Sequence, residues 1–271
     1  MIKDITIGQY FPGTSPIHKL DPRMKIVLTF IYIIFIFLCR NFVAMGAMAL
    51  LLLATVLMSK ISPKPIWKSV KPIFLIVLIT SALQLLYNSD GTVLFEWKRL
   101  HITTGGVYMA IFTTARIVVL VIASSMLTYT TSPTLLTDAI ERLFSPLKVI
   151  KINVHSIAMM MTIALRFIPT LIDEVDKIMS AQKSRGADFE TGSLIKRGKA
   201  MIPIFIPLFI NSFRRAYELA FAMDCRCYQG GEGRTRLKVM KLAARDYVSL
   251  GILVLFCVGI IVSNHYLTAV I

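Results

Sequence analysis

Apolar residues run almost unbroken through 26–39, 42–58, 73–87, 105–127 and 247–263, with polar clusters between. A helix wet on one side keeps a polar stripe, so runs without one read as helices surrounded by apolar material. Several are shorter than the roughly 20 residues a hydrocarbon core asks of a straight helix. Lys25 and Arg40 bracket the first run and reach the interface by snorkelling, and local bilayer thinning serves the others. Asp21-Pro22 supplies the first helix with a capping carboxylate and a residue suited to its first turn. The pattern predicts an all-α integral membrane protein with about five transmembrane helices.

Between 129 and 246 the pattern changes. Ser132-Pro133 opens a helix through Leu143, and Ser145-Pro146 interrupts it. Two stretches then show helical periodicity with one polar side. In 169–185, Leu171, Ile172, Val175, Ile178 and Met179 fall at spacings of three and four, opposite a solvated face of Asp173, Glu174, Asp176, Lys177 and Lys183. In 207–226, Leu208, Phe209, Phe213, Tyr217, Ala220 and Phe221 oppose Asn211, Arg214, Arg215 and Glu218. Arg214 and Glu218 are spaced for an i,i+4 pair. Each helix is expected to begin at its proline, Pro169 or Pro207. The apolar runs 152–168 and 200–213 are expected to pack at the cytoplasmic interface. As a crossing pair they would export Lys177, Lys183, Arg185, Lys196, Arg197 and Lys199.

Composition agrees with a membrane setting: 56% of the 271 residues are hydrophobic and the net charge is +15. In a bilayer protein such an excess marks the cytoplasmic side rather than nucleic acid. Residues 1–25 carry four Lys or Arg, 59–72 carry four and 128–246 carry eighteen, against Arg40, Lys98 and Arg99 in the alternate connections. The N-terminus is therefore expected in the cytoplasm and the C-terminus outside, in the cell membrane. The domains expected are 1–128 for the first spans, 129–245 for a cytoplasmic helical segment and 246–271 for the last span. No cleavable signal is expected, because Asp4, Pro12, Gly13 and Pro16 break the first twenty residues. Cys39, Cys225, Cys227 and Cys257 make no disulfide framework.

Both amphipathic helices close on an arginine, as Ser184-Arg185-Gly186 and as Cys225-Arg226-Cys227 followed by Tyr228. A cation is favoured beside the unpaired carbonyls of a helix C-terminus, and Gly186 suits the left-handed position that stops the helix. Dipole complementation alone accounts for one such motif. Two of them in one basic segment point to docking of soluble partners, since a guanidinium past a helix end offers planar donors to a carboxylate or carbonyl ring.

These features resemble the T component, the transmembrane coupling subunit, of energy-coupling factor transporters. The resemblance covers almost the whole chain. It includes Gly8-Gln9-Tyr10, Leu20-Asp21-Pro22-Arg23 with Lys25, and Arg166-Phe167-Ile168-Pro169. It also includes two signatures of Ala-Arg-Gly type, with Gly230-Gly231-Glu232-Gly233-Arg234-Thr235 after the second. Here Ser184 and Cys225 replace the alanines and Cys227 replaces the second glycine. The resemblance implies cytoplasmic coupling helices whose ends, at Arg185 and Arg226, dock one each on two cytoplasmic ATPase subunits. It also implies a membrane substrate-binding subunit that takes up a vitamin or metal.

Other chemistry is sparse. No Gly-x-x-x-x-Gly-Lys-Ser/Thr loop is present, so no nucleotide site of that kind and no cofactor are expected, and energy must come from partners. Cys225 and Cys227 lack the companions of a metal site, and His18, His101, His155 and His265 are scattered. Met159-Met160-Met161 fits either core filling or an adaptable surface shared among substrate-binding subunits. The basic stretch 234–245 suits anionic lipid headgroups. Arg116, the one clear charge within a span, is expected to pair with carbonyls or water in the bundle. A self-sufficient secondary transporter or channel, with the cytoplasmic helices regulating it, is the competing reading. It would need mid-membrane ionisable groups. A membrane enzyme would need paired acids, an activated nucleophile or a metal cluster.

Overall fold

The computed structural model describes residues 10–87, 92–97, 100–150, 153–189, 193–230 and 240–266. Gly8, Gln9, Lys98, Arg99 and 231–236, all used above, lie outside them. Among the described residues the regular structure is helical apart from one antiparallel hairpin, β1 (Val93–Trp97) with β2 (Leu100–Thr103). The chain divides into two compact units, Gly8–Ala139 with Lys238–Ile271, and Ile140–Leu237 with the chain start.

The first unit contains α1 (Pro22–Leu38), α2 (Phe42–Ser59), α3 (Pro63–Val70), α4 (Phe74–Tyr87), α5 (Thr104–Thr130) and α9 (Ala244–Tyr266). Its core joins Tyr32, Ile36 and Cys39 to Met45, Met48, Phe112, Val119, Met126, Tyr129, Leu253, Cys257 and Ile260. Outward positions such as Phe30, Leu53, Leu57, Ile76 and Leu255 remain exposed and apolar. A surface of that kind belongs in lipid. The segment 59–72, expected as a loop, is largely helical: α3 runs through a 3-10 turn, Lys71–Ile73, into α4. The 14 residues of α4 rise only about 21 Å. Joined to α3 they form a 25-residue apolar candidate for a crossing.

Each end of this bundle is sewn by polar groups. At one end, Asp21 caps α1 by accepting from the Arg23 amide at 2.9 Å, while the Arg23 side chain donates to both Asp21 oxygens. Asp246 caps α9, its Oδ2 accepting from the Ala243 amide at 2.7 Å and its Oδ1 from the Asp21 amide at 2.8 Å. Lys25 donates to the carbonyls of His18 and Thr130 and to the Thr131 hydroxyl. His18 bridges Ser15 and the Phe11 carbonyl, and burial pushes its imidazole below the ordinary histidine range. At the other end, Asn41 caps α2 and donates to the Ser263 carbonyl, and Asn264 donates to the Leu38 carbonyl. At that same end, where α1 stops, Arg116 of α5 donates to the Cys39 carbonyl at 2.8 Å and stacks on Phe112. It pairs with a bundle carbonyl, as expected.

Among the described residues, five helices are long and apolar enough to cross a membrane: Phe42–Ser59, Pro63–Tyr87, Thr104–Thr130, Val154–Ser184 and Ala244–Tyr266. Four coincide with expected spans. The expected first span is α1, only 17 residues long, and the remaining candidate, Val154–Ser184, takes in 154–168 of the run that was expected at the interface.

Candidate functional site

Two long helices, α7 (Val154–Ser184) and α8 (Leu194–Cys225), make up most of the second unit. Neither begins at the proline expected to head it. Pro169 lies in the interior of α7, and Pro203 and Pro207 lie in the interior of α8. Each removes one amide from the ladder, a disruption of about 3 kcal/mol in a solvated helix interior. The apolar runs upstream outweigh that break, so each apolar run and its amphipathic continuation form one rod. Asn153 and Ser193 provide the true caps, accepting from the amides of Ser156 and Lys196.

The two helices run antiparallel. Glu174 of α7 accepts from Asn211 at 2.5 Å and pairs with Arg215 of α8 at 3.4 Å. Farther toward the start of α7, His155 meets the Tyr228 hydroxyl, just past the end of α8. The polar stripe of α8 therefore partly faces α7. The expected Arg214–Glu218 pair gives way to Arg215–Glu174, and Glu174 is half-buried rather than part of a solvated face. An interhelical partner on a packed helix constrains both groups better than a neighbour on one exposed stripe.

Opposite that stripe, Ile202, Phe205, Ile206, Phe209, Ile210, Phe213, Tyr217 and Phe221 are all more than half exposed. They recur at helical spacing, so α8 carries a continuous apolar face that no described residue of its own unit covers. Met160 and Met161 of α7 are exposed as well.

The two expected arginines occupy equivalent positions. Arg185 is the C-cap of α7, and Arg226 is the C-cap of α8. Beyond Arg185, the Gly186 amide donates to the Lys183 carbonyl and the Ala187 amide to the Gln182 carbonyl, both at 3.0 Å. Beyond Arg226, the Cys227 amide donates to the Asp224 carbonyl at 2.9 Å and the Tyr228 amide to the Met223 carbonyl at 3.1 Å. Both ends are Schellman caps, closed by a residue in the left-handed region: Gly186 at φ 85 and Cys227 at φ 54. Cys227 thus adopts the glycine-type geometry without being glycine. Ser184, Arg185, Gly186, Cys225, Arg226 and Cys227 are all exposed. Neither guanidinium is engaged by another described residue.

Because the helices are antiparallel, the two triplets project from opposite ends of the pair. Arg185 lies eleven residues beyond Glu174, about 16 Å along α7, and Arg226 lies eleven residues beyond Arg215, about 16 Å the other way along α8.

Two groups escaped the sequence reading. Glu141 of α6 (Pro133–Leu143) lies 3.0 Å from His155, which in turn meets Tyr228, so the α8 tip is tied back to the start of α7. Intervals of 14 and 73 residues carry no local signal for this. Asp246, placed just outside a span, holds two helix starts together. Among the described residues, no group of three His, Cys, Asp or Glu side chains could hold a metal ion.

A family model described as "Cobalt transport protein" matches residues 13–237. The chain is 53% identical over 263 residues to the energy-coupling factor transporter transmembrane protein EcfT of Clostridium kluyveri, covering 96% of this chain and 97% of that one. It is 52% identical over 265 residues to the EcfT of Ruminiclostridium cellulolyticum (98% and 99% covered), and 42% identical over 246 residues to that of Bacillus subtilis (91% and 93%). Two matched helix caps and a multi-helix apolar bundle thus stand in a chain that aligns with these relatives almost from end to end. The chain belongs to the family of energy-coupling factor transporter transmembrane proteins.

Proposed function

We propose that this transmembrane component couples two cytoplasmic ATPase subunits to a membrane-embedded substrate-binding subunit, using Arg185 and Arg226 as the docking points. The N-terminus and residues 129–245 face the cytoplasm, and the C-terminus lies outside. The lysine and arginine distribution supports that orientation. The observation that carries the reading is the equivalence of the two helix ends: same cap, same arginine position, both exposed and opposite in direction. Two equivalent tips suit a two-fold pair of motors that grip one tip each. A charge-assisted guanidinium bond contributes about 1.5–3 kcal/mol net, enough for one residue to decide docking. ATP-driven closure of the motors moves the tips, and the bare apolar face of α8 passes the motion to the substrate-binding subunit. Selectivity for a vitamin or metal resides in that subunit.

The test is uptake and copurification with Arg185→Glu, Arg226→Glu and the double variant. Each single change should abolish ATP-driven uptake in protein that still inserts, and the double change should release the ATPases on detergent purification. Full uptake with retained ATPases in the double variant would reject the docking role.

A further inference from the structure

Within the first unit, α1, α2, α5 and α9 enclose a half-open groove of about 620 Å³. Its walls are apolar, among them Leu28, Leu50, Ala54, Met126, Ile252 and Phe256. Lys25, Thr130 and Arg245 lie where α1 and α9 begin and α5 ends, so the cations gather at one end of the groove. The two are not equivalent. Lys25 is buried, and its three protons are matched by three oxygens, of His18, Thr130 and Thr131. Arg245 is exposed, with no hydrogen bond or ion pair to another described residue. Its neighbour Asp246 is fully used by the amides of Asp21 and Ala243. Lys241, four residues earlier and ahead of the helix, is exposed too.

We infer that this groove is a binding site for an anionic phospholipid, with an acyl chain between α1, α2, α5 and α9 and the phosphate on Arg245. Charge complementarity fixes the occupant. A long apolar wall ending at an exposed arginine that pairs with no other described residue matches an amphiphile with an anionic head. The volume lies within the range of small-molecule sites that are mostly apolar with a few placed polar groups. A wholly apolar ligand would leave Arg245 unmatched, and a free phosphate would leave the groove unfilled. The lipid would also fill space between four helices, so its loss would loosen their packing. The inference is independent of the docking role of Arg185 and Arg226.

Native mass spectrometry of the full chain in detergent tests the site, with phosphatidylglycerol and phosphatidylcholine of identical acyl chains as probes. Phosphatidylglycerol should be retained at least several-fold more than phosphatidylcholine, and glycerol phosphate should not be retained. Arg245→Gln should bring the two lipids to parity. Ala54→Trp, which fills the groove without touching charge, should reduce retention of both. Equal retention of both lipids by the unaltered chain would overturn the proposal without reference to any variant. So would an unchanged preference in Arg245→Gln, or retention of glycerol phosphate alone.

Discussion

The backbone amide of Asp21 donates to Oδ1 of Asp246 across 2.8 Å, joining the starts of α1 and α9 although 225 positions separate them in sequence. The same carboxylate accepts from Ala243. One buried side chain therefore satisfies an orphan amide at each of two helix N-termini, where the positive ends of both dipoles favour a negative group. Substituting Asp246→Ala leaves both amides buried and unpaired, at about 1–3 kcal/mol each. Thermal unfolding in detergent should show a clear drop in Tm for Asp246→Ala. Asp246→Asn, which keeps one acceptor oxygen, should fall between. An Ala variant as stable as the parent would show that water or a rearranged loop replaces the carboxylate.

Gly186 and Cys227 fill the same left-handed position with different residues, and that difference is measurable. A side chain there costs roughly 1–2 kcal/mol, so Cys227→Gly should steady the end of α8 and leave uptake intact. Gly186→Val should fray the last turn of α7, because a β-branched residue at φ 85 is strained even though open space surrounds the position. Amide exchange at residues 182–187 should quicken in Gly186→Val, whereas exchange at 223–228 should slow in Cys227→Gly. Unchanged exchange at both ends would mean that the caps are held from outside the turn.

The Glu174–Arg215 pair ties α7 to α8 at 3.4 Å, with the arginine about a third exposed. Solvent screening limits such a pair, so a double-mutant cycle through Glu174→Gln and Arg215→Leu should give a coupling of roughly 0.5–1 kcal/mol. The control pair Arg214 and Glu218, which shares one exposed stripe, should show less. Equal coupling in the two cycles would contradict the interhelical geometry.

The spans were legible because an apolar run has few alternatives, and the arginine caps were legible because an arginine closing an amphipathic run is a local signal, reinforced by Gly186 at the first. The start of α1 at Asp21 was legible from its capping chemistry, whereas the caps of α7 and α8, Asn153 and Ser193, were not singled out. What failed was long-range or competitive. Pro169 and Pro207 read as helix starts because local rules forbid interior proline, but the apolar stretches ahead of them were helical already. Glu174 looked solvated because nothing within its own helix announces Arg215. The Glu141–His155–Tyr228 contact and the double use of Asp246 depend on which helices become neighbours, and spacing along the chain does not encode that. Cys227 shows the converse: the backbone geometry persisted although the residue that normally signals it is absent.

The interior prolines have a mechanical consequence. With no amide at 169, the Leu165 carbonyl has no ladder bond to lose, and the same holds for Lys199 and Pro203 opposite Pro203 and Pro207. Tilting the far portion of either rod therefore breaks fewer bonds than it would in an uninterrupted helix. α8, with two gaps one turn apart on one side, is the softer spring. Any load applied at Cys225–Cys227 meets that compliant joint before it reaches Lys199, so the two arms of the pair differ in stiffness even where their tips match.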